Sequence, residues 1–208
     1  AYYRIGLNGE SAAALLKMRG ALSASEMLLL TDSIDAAFRA GALDSTMYLE
    51  GMRAAAASPA WDVATYPSGL GARRGNPGAM EALVNGAAPD ARAQFAALMR
   101  ALYMPRLESA MVGGDVSSAL LRKAAVDAVA VQGGELALRK DLSDRVLPVL
   151  GFPAPEGGAL PLDEDLRQAA LTVAIQDGGK PVLDAVFIAL KNTQDEAFRH
   201  DAVEAIGR

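Results

Sequence analysis

The chain has no cysteine and a single histidine among its 208 residues. The first absence excludes disulfides, iron–sulfur clusters, thiolate zinc sites and a cysteine nucleophile, but it leaves the compartment open, since neither oxidising nor reducing surroundings require the residue. The second excludes a zinc site of two or three histidines built from this chain alone. Long apolar runs are also missing: Met27–Leu30 and Ala54–Ala57 fall far short of the roughly 20 residues that span a bilayer. Basic residues are not in excess. The 20 Lys and Arg face 25 Asp and Glu for a formal charge of −5, without a basic block, so a sequence-independent grip on nucleic acid is not expected. No charged region leading into an apolar stretch opens the chain, and residue 1 is not Met, so it is expected to begin inside a longer polypeptide. A soluble protein is expected, cytoplasmic in preference to periplasmic, without a membrane span.

Aromatic residues make up only 5% of the sequence while alanine is abundant, the composition of close-packed helices rather than of strands. An all-α fold is expected, with one possible short strand at Tyr2-Tyr3-Arg4-Ile5, residues 1–6 being the tail of a preceding β domain. Ser23-Ala24-Ser25-Glu26 has capping-box spacing and predicts a helix start, with Met27, Leu30, Ile34, Ala37 and Phe38 at helical intervals until Gly41 stops it. A second helix is predicted from about Ser45 to Ala57. Residues 66–78 are dense in Pro, Gly, Ser and Asn and predict a mobile loop. Asp90 is expected to cap a long helix through Phe95, Leu98, Met99 and Leu102, with Pro105 as a kink or break.

The second half contains an internal repeat. Leu121-Arg122-Lys123-Ala124-Ala125, running on to Gly133-Gly134, matches Leu166-Arg167-Gln168-Ala169-Ala170, running on to Gly178-Gly179, 45 residues later. A shorter version begins at Phe198-Arg199 and places Ala202 and Ala205 where the first copy has Ala125 and Ala128. That period, with an Arg-x-x-Ala-x-x-small face, predicts an irregular α-solenoid of the HEAT or armadillo type, in which each helix pair buries its apolar stripe against the next. Residues 148–161, rich in Pro and Gly, are read as an inter-repeat connection. Asp163, Glu164 and Asp165 fall where a helix start favours negative charge, and this outweighs a metal-binding reading. The whole chain, 1–208, is expected to be one helical-repeat domain truncated at both ends.

Few residues suggest chemistry. His200 is a general base only if a nucleophile and an orienting group join it in space, and a surface or interhelix role is the simpler reading. Pro67-Ser68-Gly69 lacks the strand–turn–helix setting of a nucleophile elbow. Gly69-Leu70-Gly71 and Gly75 lack the Gly-Lys-Ser/Thr ending of a phosphate loop. Arg73 and Arg74, between glycines, are candidate contacts to a carboxylate or phosphate, or simply keep an exposed loop solvated. Trp61 is read as anchoring a helix-end turn on the core, and Met47, Met52, Met99, Met104 and Met111 as gap-filling packing. No catalytic, metal-binding or cofactor-binding residue is assigned.

Together the features of the first sixty residues resemble the C-terminal region of the aminopeptidase N family of zinc aminopeptidases. Tyr2-Tyr3-Arg4-Ile5 is similar to the phrase that closes that family's β-sandwich domain, with Ala1 in place of a Gly. The stretch from Leu22-Ser23 through Glu26, Leu29, Leu30, Asp32, Phe38, Ala40, Gly41 and Leu43 resembles its Ser-capped helix, although Glu26 stands where Arg is common. Pro59 with Trp61 resembles its Pro-x-Trp, and the Leu-Arg-x-x-Ala helices resemble its irregular helical repeats. Gly78-Ala79-Met80-Glu81-Ala82 is similar to the family's exopeptidase motif, but that motif precedes the zinc site, and its position here marks a coincidence.

The resemblance implies an excised helical domain whose parent carries the zinc and the catalytic residues upstream of Tyr2. It implies a bowl over the catalytic domain of the same polypeptide that gates or binds a peptide substrate without cleaving it, with Arg73 and Arg74 as possible substrate contacts. A free-standing HEAT-like scaffold with a protein partner on its concave face is the alternative. The ending at Glu204-Ala205-Ile206-Gly207-Arg208, in mid-repeat, leads to the expectation of further helices in the intact protein.

Overall fold

The computed structural model describes residues 4–69, 89–110 and 114–208. Among these residues the fold is all-α and contains no strand. Tyr2 and Tyr3 lie outside them. Arg4 and Ile5 have no regular structure, because their partners are side chains of a helix and not a neighbouring strand.

Helix α1 (Gly9–Lys17) starts at a reciprocal cap. Asn8 Oδ1 accepts the Ser11 amide at 2.8 Å, and the Ser11 hydroxyl accepts the Asn8 amide at 3.0 Å. Helix α2 (Ala24–Arg39) has the predicted box, with the Ser23 amide donating to Glu26 Oε2 at 2.8 Å, and the chain turns away at Gly41 with φ 73°. Helix α3 (Ser45–Ala56) is capped by Asp44, whose carboxylate accepts the Met47 amide at 2.8 Å. The short helix α4 (Trp61–Ala64) follows. Ile34 of α2 with Tyr48 and Met52 of α3 form the centre of a first core, each 2% exposed or less. Burial of this order stabilises by about 1.5–3 kcal/mol per large aliphatic side chain.

Helix α5 (Pro89–Ala110) differs from expectation at two points. Asp90 lies inside its first turn and not at the cap, since Pro89, with no amide to leave unpaired, opens the helix. The helix also continues through Pro105. It is held on both sides of that residue: Met99 and Tyr103 are fully buried, the Tyr103 hydroxyl donates to Ala64 O at 2.7 Å, and Arg106 donates to Ala56 O at 3.0 Å and Ser58 O at 2.8 Å. The first of those two satisfies a carbonyl left open at the C-terminus of α3, and the second holds the turn just beyond it.

Helix α6 (Val116–Val126) continues in π register over Asp127–Gln132. It is followed by α7 (Leu136–Val146), a 3-10 turn at Pro148–Leu150, and an irregular stretch; Leu150 of the turn and Phe152 of the stretch pack on a second core. A further 3-10 turn at Glu164–Leu166 leads into α8 (Arg167–Asn192), which Gly179, with φ 60°, divides into two segments. Helix α9 (Glu196–Ile206) packs on α8. The two cores meet along one rod: Ala125, Ala128 and Val129 belong to the first, whereas Val126 and Ala130 belong to the second.

The repeat read in the sequence has a structural counterpart. In both copies a helix ends in a Gly-Gly pair whose second glycine, Gly134 or Gly179, has positive φ, 63° and 60°, and a second helical segment follows. The alanines Ala125, Ala170 and Ala202 are fully buried at the equivalent position of each copy.

Candidate functional site

Two polar assemblies stand out. The first joins the start of the chain to α2. Arg4 Nε lies 2.7 Å from Asp32 Oδ2, and the Ile5 amide donates to Ser33 Oγ at 3.0 Å. Tyr66 Oη donates to Asp32 Oδ1 at 3.2 Å. Asp32 is 7% exposed and Ser33 is fully buried, so the acceptors belong to the helix interior while the Arg4 side chain, 57% exposed, reaches in from outside. Arg4, the arginine of the Tyr-Tyr-Arg phrase, therefore meets the Ser-capped helix in space.

One turn further along α2, Asp35 accepts from Arg39 Nε at 2.9 Å, and Phe38 stacks on Tyr48 with ring centres 4.4 Å apart. Asp35 Oδ1 and the Tyr48 hydroxyl are buried without a hydrogen-bond partner among the described atoms. Burial, reinforced by the Asp35 charge, raises the Tyr48 hydroxyl well above its ordinary pKa of 10. Burial raises Tyr103 likewise, against a smaller opposing effect of Ser68 and Arg106.

The second assembly is a series of arginines across the repeats. Arg122 donates to Asp165 at 2.6 Å, reaching from the first copy to the start of the second. Its counterpart Arg167 donates to Asp201 of α9 at 2.8 Å and to Asp195, the residue that caps that helix, at 3.4 Å. Arg139, whose side chain is 11% exposed, donates to Ala130 O at 2.8 Å and to Asp177 through Nε at 3.1 Å, so it ties the ends of both repeat helices. Asp127, 5% exposed, accepts from Gln132 at 2.9 Å and pairs with Arg208. These contacts neutralise the buried carboxylates of Asp127 and Asp201 and tie the repeat helices together; among the described residues they bring no nucleophile to a base.

The sequence candidates separate accordingly. Arg73, Arg74 and Glu81 lie outside the described residues, as does Met111. Ser68 is buried and donates to Thr65 O at 2.8 Å, which excludes it as an exposed nucleophile. His200 is exposed on α9 beside Asp201, whose carboxylate faces Arg167. Met52 and Met99 are fully buried, and Met47 and Met104 pack at the edge of the first core. Trp61 corrects the anchoring expectation: it is 38% exposed at the first position of α4 and belongs to neither core, since Val63 and Ala64 are the residues this short helix buries. Arg139 and the Arg4–Asp32 pair had no local signal, because their partners lie 38 and 28 residues away.

Among the described residues no group of three His, Cys, Asp or Glu side chains is placed to hold a metal ion, and no helix is long and apolar enough to cross a membrane. No curated protein matches the chain, and no solved structure does. A family model does: the ERAP1-like C-terminal domain matches residues 1–208. The chain therefore belongs to the ERAP1-like C-terminal domain family, the aminopeptidase C-terminal domain that its Tyr-Tyr-Arg phrase, its Ser-capped helix and its Leu-Arg-x-x-Ala helices resemble.

Proposed function

We propose that this chain is the substrate-enclosing domain of a zinc aminopeptidase that removes N-terminal residues from peptides, and that it binds or gates the peptide while the bond is cleaved elsewhere in the polypeptide. The observation that carries the reading is the family match across the whole chain. The helix–Gly-Gly–helix unit that recurs in the second half supports an irregular HEAT-like solenoid, an architecture that builds extended concave surfaces. Such a surface limits access to a chamber and contacts the distal part of a bound peptide.

Zinc is implied for the parent protein by the resemblance. The described residues do not fit it, because the buried carboxylates of Asp32, Asp127 and Asp201 are already engaged by arginines and no other ligands converge on them. No catalytic step is assigned to this chain, and its contribution is to hold peptide. Arg73 and Arg74 are the proposed contacts, since arginine is permanently charged and suited to a peptide's carboxylate groups.

The test uses the polypeptide that carries this domain. It should release N-terminal residues from peptides in a zinc-dependent manner, and Arg73→Ala with Arg74→Ala should raise KM for long peptides while leaving hydrolysis of a single-residue amide substrate unchanged. A polypeptide without aminopeptidase activity overturns the proposal. Equal effects of the double variant on long and short substrates overturn the assignment of the two arginines.

A further inference from the structure

We propose that Arg4, Asp32, Ser33 and Tyr66 form a clamp that fixes the direction in which the polypeptide ahead of Arg4 leaves the helical domain, so that the domain is held to its neighbour at a set angle rather than on a slack tether. Residues 4–8 have no regular structure up to the cap of α1, yet they are pinned repeatedly. Arg4 is bound through its guanidinium to Asp32 at 2.7 and 3.4 Å. The Ile5 amide donates to Ser33, the Leu7 side chain is 6% exposed in the first core, and Asn8 caps α1. A flexible linker is polar or glycine-rich and buries nothing. Here a charge-assisted pair, a backbone bond, an apolar anchor and a cap follow one another along a short segment.

The acceptor side is rigid as well. Asp32 and Ser33 sit mid-helix on α2, where Leu30 and Ile34 are buried on either side of them, and Tyr66 braces the same carboxylate from just beyond α4. Two elements of the domain thus hold the residue to which Arg4 binds. The statement about the neighbouring domain rests on the proposed aminopeptidase reading; the pinning of residues 4 and 5 stands without it.

The experiment has two arms. In the 208-residue chain, hydrogen exchange of the Ile5 amide should be slow, and Ser33→Ala or Arg4→Gln should each speed it at least about fivefold, the effect of losing a hydrogen bond, while Leu30 and Ile34 stay protected. Arg4 is largely exposed, so its variant folds even where a change at buried Asp32 does not. In the longer polypeptide, a spin label on each side of Arg4 should give one narrow distance distribution that broadens in Arg4→Gln. Exchange of Ile5 at the free-peptide rate, or a distribution equally broad before and after substitution, overturns the clamp. Neither arm reads peptidase activity, so a failure of the enzymatic reading is seen separately.

Discussion

Arg167 holds two residues of α9 at once: its Nε is 2.8 Å from Asp201 Oδ2, and its guanidinium carbon lies 5.6 Å from the centre of the Phe198 ring. Both members of the ion pair have side chains only 12% exposed. Removing one partner leaves a buried charge, which costs about 3–5 kcal/mol. Arg167→Ala should therefore lower the unfolding free energy by that order in urea titrations, and Arg167→Lys should recover only part, since an ammonium lacks the planar fork and stacks less well. A loss below about 1 kcal/mol for the alanine variant would mean the pair behaves as a solvated one.

Gly51 permits the close approach of α2 and α3. A Cβ added there would lie 2.9 Å from Ile34 Cδ1 and 3.0 Å from its Cγ2, and Ile34 is fully buried and branched. Overpacking of this kind costs about 1–3 kcal/mol, against which the better helix propensity of alanine returns up to about 1 kcal/mol. Gly51→Ala should be net destabilising, and Ile34→Val in the same chain should relieve part of the loss. A thermal melt of the two variants and their combination decides the point, with non-additivity expected because the residues touch.

At the alkaline end, Tyr48 and Tyr103 should resist ionisation. Both hydroxyls are raised above the ordinary value of 10 in the folded chain, chiefly by burial. The folded state thus favours their protonated form, so the stability they contribute is present below about pH 10 and is lost as pH rises above it. Ultraviolet titration should show these two tyrosines ionising together with unfolding, in a single cooperative step. Smooth titration of both at about pH 10 with retained helicity would contradict it.

At the acid end, the helix caps are the sensitive elements. Glu26 is lowered below its ordinary 4.5 by its bonds to the Ser23 hydroxyl and amide, and Asp115 below 3.8 by its bond to Ser118. A depressed folded value means that the contribution is complete above the unfolded pKa and is lost as pH falls through the folded one. Glu26→Gln and Asp115→Asn keep hydrogen-bonding groups in place and remove the charge. The midpoint of urea unfolding in these variants should fall less steeply between about pH 5 and pH 3 than in the parent chain. Identical slopes would assign the acid sensitivity to other carboxylates.

How much of this was readable beforehand follows the range of the interactions. Ser23 and Glu26, three residues apart, disclosed α2, and the paired glycines disclosed the repeat, because capping and chain reversal are local physics. Helix α1 carries the same kind of local signal in Asn8 and Ser11. The start of α5 at Pro89 is local, a proline opening the helix ahead of Asp90, whereas the helix is unbroken at Pro105 because Tyr103 and Arg106 hold it through partners far away in sequence. The joining of Arg4 to Asp32 was out of reach for the same reason, although each residue belonged to a phrase already singled out. Arg73 and Arg74, the proposed peptide contacts, fall outside the described residues, so sequence remains their whole basis.

The rod formed by α6 and its π extension, with Ala128 and Val129 in one core and Ala130 in the other, has a consequence for tolerance to change in length. Each residue added to or removed from a helix rotates everything beyond it by about 100°. On a helix with one apolar stripe such a slip exposes one core, but here it would withdraw side chains from both at once. The wider π turns at Asp127–Gln132 already accommodate an extra residue's worth of chain. Removing one of these residues would return the rod to α register, so a single-residue deletion is absorbed best within this stretch, whereas the same deletion earlier in α6 would displace both cores.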